Sequence, residues 1–116
     1  MDADLTAAQR SLLRATQLIH VAAQRAETQA ARGPDDLEAV LLLGAVRTLG
    51  WQAMVLLPEG LPLIGAVPSG EGCLAALEEA EQELRAQPIW EYPVGTSALV
   101  VALCDAIVTT RAGGWL

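Results

Sequence analysis

Apolar residues recur every three or four positions through the first third of the chain, as they do along one face of an α-helix. The series runs from Leu5 to Ala26, and no glycine or proline interrupts residues 4–32. Gly33-Pro34 then ends the pattern, and Asp35 or Asp36 is a suitable N-cap for the next helix. The pattern predicts a long amphipathic first helix.

The second helix is predicted from about Asp35 to Leu57, and it is apolar on nearly all sides. Because a helix without a polar face is expected to lie inside a bundle, this is the element predicted to be most buried. Gly44 and Gly50 each cost about 1 kcal/mol of helix stability relative to alanine. They indicate places where a neighbouring helix packs closely.

Residues 58–72 are rich in proline and glycine and cannot continue a helix. A connection of this length is unusual inside a compact domain. It is also unusually apolar, with Leu61, Leu63, Ile64 and Val67. The segment is therefore expected either to cover an open end of the bundle or to present a contact surface.

Two further helices follow this loop. The third is predicted from about residues 69–72 to Gln87, just before a proline. The fourth follows an N-cap at Thr96 or Ser97 and ends near Ala112, before two glycines.

The predicted fold class is all-α: one domain over residues 1–116, an antiparallel four-helix bundle with loop 58–72 between helices 2 and 3. The chain is 53% hydrophobic and long enough to bury a sizeable core. It is acidic, with a net charge of −7, and it has no lysine, which argues against a nucleic-acid partner. The absence of lysine, asparagine and phenylalanine is typical of a GC-rich bacterial genome.

Two strongly apolar stretches, 37–57 and 94–108, raise the question of a membrane. The first has Arg47 near its middle, and the second is shorter than the ~20 residues that a spanning helix needs. The amino terminus is acidic at Asp2 and Asp4, where a secretory signal would be basic. We therefore expect a soluble, cytoplasmic protein with no membrane partner.

Two lone charges, Arg47 and Asp105, lie in otherwise apolar helices. A buried charge without a partner costs several kcal/mol, so the two are expected to pair across helices 2 and 4. His20, in the middle of helix 1, is a candidate third member. Such a cluster either fixes the register of the helices or forms a small-molecule site in which the arginine holds an anionic ligand.

Motifs for catalysis, cofactors and metals are missing from the sequence. His20 is the only histidine, so the paired Glu-x-x-His motifs of di-metal bundles are absent. Cys73 and Cys104 are not spaced as metal or redox cysteines, and they are expected to be free thiols. We expect no catalytic residue, no cofactor and no metal.

Charge is unevenly placed along the chain. Residues 3–32 carry four arginines against two acidic residues, a net of +2, whereas residues 71–87 carry five glutamates against one arginine, a net of −4. Such complementary helices are expected to face each other within the fold or across a dimer.

Aromatic and apolar residues outside the helical stripes are the candidate contact anchors of an interface. Alternatively, the two tryptophans, Trp90 and Trp115, cap the ends of the bundle and fill gaps that an alanine-rich core leaves. The candidates are Leu61, Leu63, Ile64, Val67, Trp90, Tyr92 and Trp115.

The function that these patterns favour is a small non-enzymatic interaction protein: an adaptor, a scaffold or an assembly subunit. Its partner would be another protein or a second copy of the chain in a homodimer. The alternative is a helical bundle that binds a small molecule in a pocket near Arg47, Asp105 and His20.

Overall fold

The computed structural model describes residues 5–33 and 35–112, which form four α-helices packed against one another as a four-helix bundle. The predicted all-α class is confirmed, while Trp115 lies outside the described residues. The bundle measures 45 × 24 × 23 Å. Its helices are α1 (Ala7–Arg32), α2 (Leu37–Met54), α3 (Gly72–Leu84) and α4 (Thr96–Ala112), with a 3-10 turn at Ile89–Glu91 before α4.

The four helices occupy the corners of a square. The principal contacts are α1 with α2 and α3, and α4 with α2 and α3. The α1–α2 and α3–α4 connections join neighbouring corners, whereas residues 55–71 cross the diagonal from α2 to α3. Each helix therefore packs on two neighbours and turns its remaining surface away from the bundle.

Side-chain caps explain where the first two helices begin. At α1 the Thr6 hydroxyl accepts from the Gln9 backbone N–H at 3.0 Å, and the Gln9 side chain accepts from the Thr6 N–H at 2.8 Å. At α2 the Asp36 carboxylate accepts from the Ala39 N–H at 3.3 Å. Asp36, not Asp35, is therefore the cap, because a side-chain oxygen satisfies a backbone donor that the helix leaves unpaired.

The carboxyl ends of α2 and α3 come earlier than their sequence patterns predict. α2 ends at Met54 instead of Leu57, and α3 ends at Leu84 instead of Gln87. Each ends in tighter turns with bonds to the carbonyl three residues back, a few residues before a proline. Proline disfavours helical geometry in the residue before it, so the last turn tightens and the helix stops early.

The core is built mainly on the apolar face of α1. Leu12, Ala15, Ile19 and Ala22 are completely buried, as the spacing of the first helix predicts. α3 contributes its own stripe, which includes Leu77 at its centre. Alanine at alternate turns allows these two helices to approach closely, and their contact is the most extensive in the bundle.

The expectation that α2 is the most buried element is wrong. Its buried residues, Ala39, Leu42, Val46, Leu49 and Ala53, form one narrow stripe. Gly50 does pack closely on α1, since a Cβ there would lie 3.8 Å from Ile19, but Gly44 has no neighbouring atom within 4 Å of such a Cβ. A corner position covers about half of a helix, whatever its sequence, and so the outer side of α2 stays exposed.

None of the helices in the described segments combines the length and the apolar character that crossing a membrane would require.

The connection from α2 to α3 lies along the outside of α1. The Gln17 side chain donates to the Pro62 carbonyl at 3.0 Å, and the Arg25 guanidinium donates to the carbonyls of Gly70 and Gly72, both at 2.9 Å. Because Gln17 meets the start of the connection and Arg25 its end, α3 begins beside the later part of α1 and runs antiparallel to it. The connection is thus attached to α1 at two points.

Candidate functional site

The predicted Arg47–Asp105 ion pair is wrong. The Arg47 Nη2 lies 3.2 Å from Glu27 Oε2 on α1, and both of these side chains are more than half exposed. Asp105 is exposed on α4 and lines a groove that Arg47 does not reach. Both charges are hydrated because their helices occupy corners of the bundle, so neither needs a buried partner.

The third member of the predicted cluster, His20, lies half-buried on α1. Its Nε2 is 3.5 Å from the Gln24 amide nitrogen. His20 and Arg47 line a shallow depression of about 270 Å³, which Asp105 does not reach. The structure therefore brings two of the three residues together and leaves the third on another side of the bundle.

Tyr92, predicted as an interface anchor, is a buried cap at one end of the bundle. Its hydroxyl donates to the Leu84 carbonyl, the last residue of α3, at 2.9 Å. Burial raises the pKa of the Tyr92 phenol above its ordinary value. Trp90 behaves differently: it is 81% exposed and is available for contact with another molecule.

The four apolar residues proposed as contacts in the loop divide into two pairs. Leu61 and Leu63 are half-buried against the bundle, whereas Ile64 and Val67 are exposed. The loop lies along the side of α1 instead of over an open end of the bundle, and it presents Ile64 and Val67 to solvent. Its role as a contact surface stays a prediction.

A further set of exposed apolar side chains lies on the outer side of α2. Leu41 is 62% exposed, and Trp51, 64% exposed, lies further round the helix in the depression beside Arg47 and His20. These residues belong to a series spaced alternately by four and three, which we call the α2 outer seam. It comprises Leu37, Leu41, Gly44, Thr48, Trp51 and Val55, all of them exposed.

α4 carries a similar series on its exposed side, which we call the α4 outer seam. Val101 and Val108 are 61% and 63% exposed, and a single charged residue, Asp105, lies between them. The series comprises Ala98, Val101, Asp105, Val108 and Ala112, all exposed and spaced alternately by three and four. Its side chains are smaller than those of the α2 outer seam.

A groove of about 870 Å³ separates the two seams. Its lining is mainly aliphatic, and the only charged residues in it are Glu38 and Asp105. The side-chain oxygen of Gln52, which also lines the groove, is buried without a hydrogen-bond donor among the described residues. An unpaired buried acceptor is uncommon in native proteins and costs about 1–3 kcal/mol.

Ion pairs are distributed unevenly around the square of helices. Arg14 pairs with Glu83 at 3.3 Å between α1 and α3, and Arg111 pairs with Glu78 between α4 and α3. With the Arg47 pair to α1, three of the four edges are bridged, and within residues 5–33 and 35–112 none bridges α2 and α4. The basic α1 and the acidic α3 thus face each other within the fold, which is one of the two predicted arrangements.

Sequence reasoning missed the two outer seams although their signal is present. The apolar character of α2 on all sides predicts a buried helix, yet the structure buries only one side of it. The same residues form two separate series with a spacing of 3.5, one facing the core and one facing outward. Two such series on one helix indicate two packing faces, and the second one is open.

The Cys73 thiol offers little chemistry in this arrangement. Burial raises the pKa of Cys73 to about 11, although the Arg25 guanidinium partly opposes that rise. Cys73 is consequently protonated at neutral pH and a weak nucleophile, since the thiolate is the reactive form. Within the described part of the chain no three His, Cys, Asp or Glu side chains group as metal ligands would.

Comparison with known proteins finds no protein-family model, no curated protein and no solved structure that matches this chain. Its function is therefore argued from the surface formed by the two outer seams and the groove between them, which we call the α2–α4 face.

Proposed function

We propose that this chain is a small non-enzymatic interaction protein, an adaptor, scaffold or assembly subunit, and that its α2–α4 face binds another protein. The observation that carries the proposal is the pair of exposed seams, one on each helix, with a mainly aliphatic groove between them. Contiguous apolar surfaces of this kind on folded domains mark interaction sites.

Exposed apolar side chains on this face supply a driving force for binding a partner. Fully burying one Leu, Val or Phe side chain contributes roughly 1.5–3 kcal/mol. Leu41, Val101 and Val108 are each still more than half exposed in the isolated chain. Burying these side chains against a partner offsets part of the entropy that association costs. Exposed ion pairs contribute much less to binding.

The spacing of the seams favours a helical partner. Residues repeated every 3.5 positions stay on one side of a helix and fit between the side chains of a facing helix. Both seams follow that repeat along most of their helices. An extended strand would not match it, because its side chains alternate with a period of two.

A protein suits this face better than a membrane surface does. Helices that bind in the plane of a membrane carry Lys and Arg beside their apolar side. The charged residues lining the groove are Glu38 and Asp105, both acidic, and they would be repelled by anionic lipid.

The alternative function, a bundle that binds a small anionic molecule, has less support. The depression beside Arg47 and His20 holds only about 270 Å³, below the roughly 300–1,000 Å³ of ligand pockets. Glu27 already pairs with the arginine that would receive the anion. The larger groove contains no basic residue.

The test is a matched pair of substitutions, Thr48→Glu on the α2–α4 face and Thr28→Glu on α1. Both threonines are exposed and helical, and the hydroxyl of each donates to the carbonyl four residues earlier, at 2.9 Å and 3.1 Å. After cross-linking in the source cells, Thr48→Glu should lose the complexes that the wild-type chain forms, and Thr28→Glu should keep them. Complexes that survive Thr48→Glu unchanged would show that another surface binds the partner.

A further inference from the structure

We infer that the occupant of the α2–α4 face is a second copy of this chain, with α2 of each copy lying antiparallel on α4 of the other. This inference rests on the proposed function and specifies its partner. It follows from the size of the face, from the sizes of the side chains in the two seams, and from the position of their polar residues.

The face has the area that a specific dimer needs. A helix as long as α2 extends about 27 Å, and two packed helices are about 20 Å wide, so the face projects about 500 Å². A standard interface buries about 800 Å² of accessible surface per partner. Because side chains protrude from the helices, the accessible area of this face exceeds its projected area. A single partner helix would cover only half of this face.

A partner that covers both seams must offer two antiparallel apolar helices with the same repeat. This chain has such a layer itself. α1 runs antiparallel to α2, through their short connection, and to α3, as the Arg25 and Arg14 contacts show. α4 returns antiparallel to α3, so α2 and α4 are antiparallel to each other.

The side chains of the two seams differ in size in a complementary way. At the amino end of the α2 outer seam stand the leucines Leu37 and Leu41, whereas the α4 outer seam has the smaller Val108 and Ala112 at the corresponding level. Large residues fit over small ones when facing helices interdigitate. Packing α2 on α2 and α4 on α4 would instead lose this match of large residues with small ones.

The polar residues decide between these two arrangements as well. Asp105 lies at the middle of the α4 outer seam, and Gly44 and Thr48 lie at the middle of the α2 outer seam. With α2 on the partner's α4, each Asp105 carboxylate meets a threonine beside the open space at Gly44. With α4 on the partner's α4, two carboxylates would meet in a partly dry contact, which is unfavourable.

A two-fold axis parallel to the helices produces the favoured arrangement. It preserves the direction of each helix and exchanges the sides of the face, so that α2 covers the partner's α4 while α4 covers the partner's α2. Both contacts form together, and the interface is closed and symmetric.

The experiment measures the mass of the purified chain by sedimentation equilibrium, with circular dichroism melting to verify that each variant folds. The wild-type chain should form a dimer of 24.4 kDa, twice 12.2 kDa. Thr48→Glu should weaken the dimer roughly a hundredfold by placing a carboxylate against the partner's Asp105. Thr28→Glu should leave the mass unchanged.

Two more variants test the pairing of the helices. Thr48→Arg should preserve or tighten the dimer, because its guanidinium would face the partner's Asp105. Adding Asp105→Arg to Thr48→Glu should restore the dimer. If α2 instead packs on the partner's α2, two arginines meet and Thr48→Arg dissociates it, which would overturn the arrangement proposed here.

A wild-type chain that is monomeric at about 100 µM, a hundred times a micromolar dissociation constant, would overturn the inference of self-association. The proposed function would then still be judged by the cross-linking comparison in cells. Loss of complexes with Thr48→Glu there would indicate a different protein on the same face, whereas no loss would overturn both proposals.

Discussion

α1 and α3 differ from α2 and α4 in how their polar and apolar residues are arranged. The first pair has one apolar side, which the bundle buries, and a charged side that forms ion pairs such as Arg14–Glu83. The second pair has two apolar sides, of which the bundle buries one. Folding therefore buries the whole apolar side of α1 and α3, whereas it leaves α2 and α4 each with a second, exposed apolar side.

This difference shows that apolar content does not by itself measure burial. α2 is richer in leucine and valine than α1, yet α1 contributes more completely buried side chains. Each of the four helices packs on two neighbours, so the bundle covers one side of each helix. Apolar residues outside that side stay exposed and are available for another molecule.

The largest expected effect is a loss of folding stability when a leucine of the α3 core is changed to alanine. The same substitution in the α2 outer seam is the comparison. Leu77→Ala should destabilise the fold by about 2–5 kcal/mol, because Leu77 is completely buried and truncation leaves a cavity. Leu41→Ala should cost within about 0.5 kcal/mol in dilute protein, since this side chain is mainly exposed. Urea denaturation measures both. Equal costs would mean that the outer seam is already packed in the isolated chain.

A pH titration tests the burial of α3 independently. Burial raises the pKa of Cys73 from 9.0 to about 11, so the unfolded chain releases this proton at lower pH than the folded one. The associated stability, up to about 3 kcal/mol, is present below pH 9 and is lost as the pH rises through 11. Denaturation between pH 8 and 11 should show this fall.

The control for that titration is a pair of alanine substitutions at the two cysteines. Cys73→Ala should reduce the fall of stability with pH, leaving the part due to Tyr92, whose pKa burial also raises. Cys104→Ala should keep the full fall. An unchanged fall in Cys73→Ala would show that this thiol is not buried in the folded chain.

The capping end of the bundle offers a contrast between two aromatic residues. Tyr92→Phe should destabilise the fold by about 1–2 kcal/mol, because the Leu84 carbonyl loses its buried donor. Trp90→Ala should cost less than about 0.5 kcal/mol, since the indole is mainly in solvent. Thermal melts of the two variants decide. A costly Trp90→Ala would place that side chain in the core and reverse the assignment.

The smallest effect concerns the lone charges. A double-mutant cycle for Arg47 and Glu27 should give a coupling of about 0.5 kcal/mol or less, as exposed ion pairs do. The cycle for Arg47 and Asp105 should give no coupling beyond about 0.3 kcal/mol, because they lie on different sides of α2 and α4. A larger coupling in the second cycle would show that Arg47 and Asp105 interact, contrary to the structure.

Much of the fold was predictable because its signals are local. The apolar stripe of α1, the stop at Gly33 and the cap region before α2 depend on residues a few positions apart. The inner stripe of α3 followed from the same periodicity. The ends of α2 and α3, before Pro58 and Pro88, were predicted less well. The last turn of each helix tightens a few residues before the proline, and the apolar periodicity does not show where that tightening begins.

The candidate site was predicted poorly because it depends on which residues the helices bring together. The sequence predicts an Arg47–Asp105 pair only if both side chains are buried, and in the bundle both are exposed. Tyr92 was assigned to an interface, yet the end of α3 supplies a carbonyl that holds it inside. Neither partner of such contacts can be inferred from spacing along the chain.

The sequence by itself determined four helices, their faces and an unusual excess of apolar residues on two of them. Only the tertiary structure decided that this excess faces outward on adjacent helices and forms one surface. The physical reason is that periodicity records which residues share a side of a helix, within one turn of the chain. Which sides are covered depends on where the neighbouring helices lie around each one, and that is a property of the whole bundle.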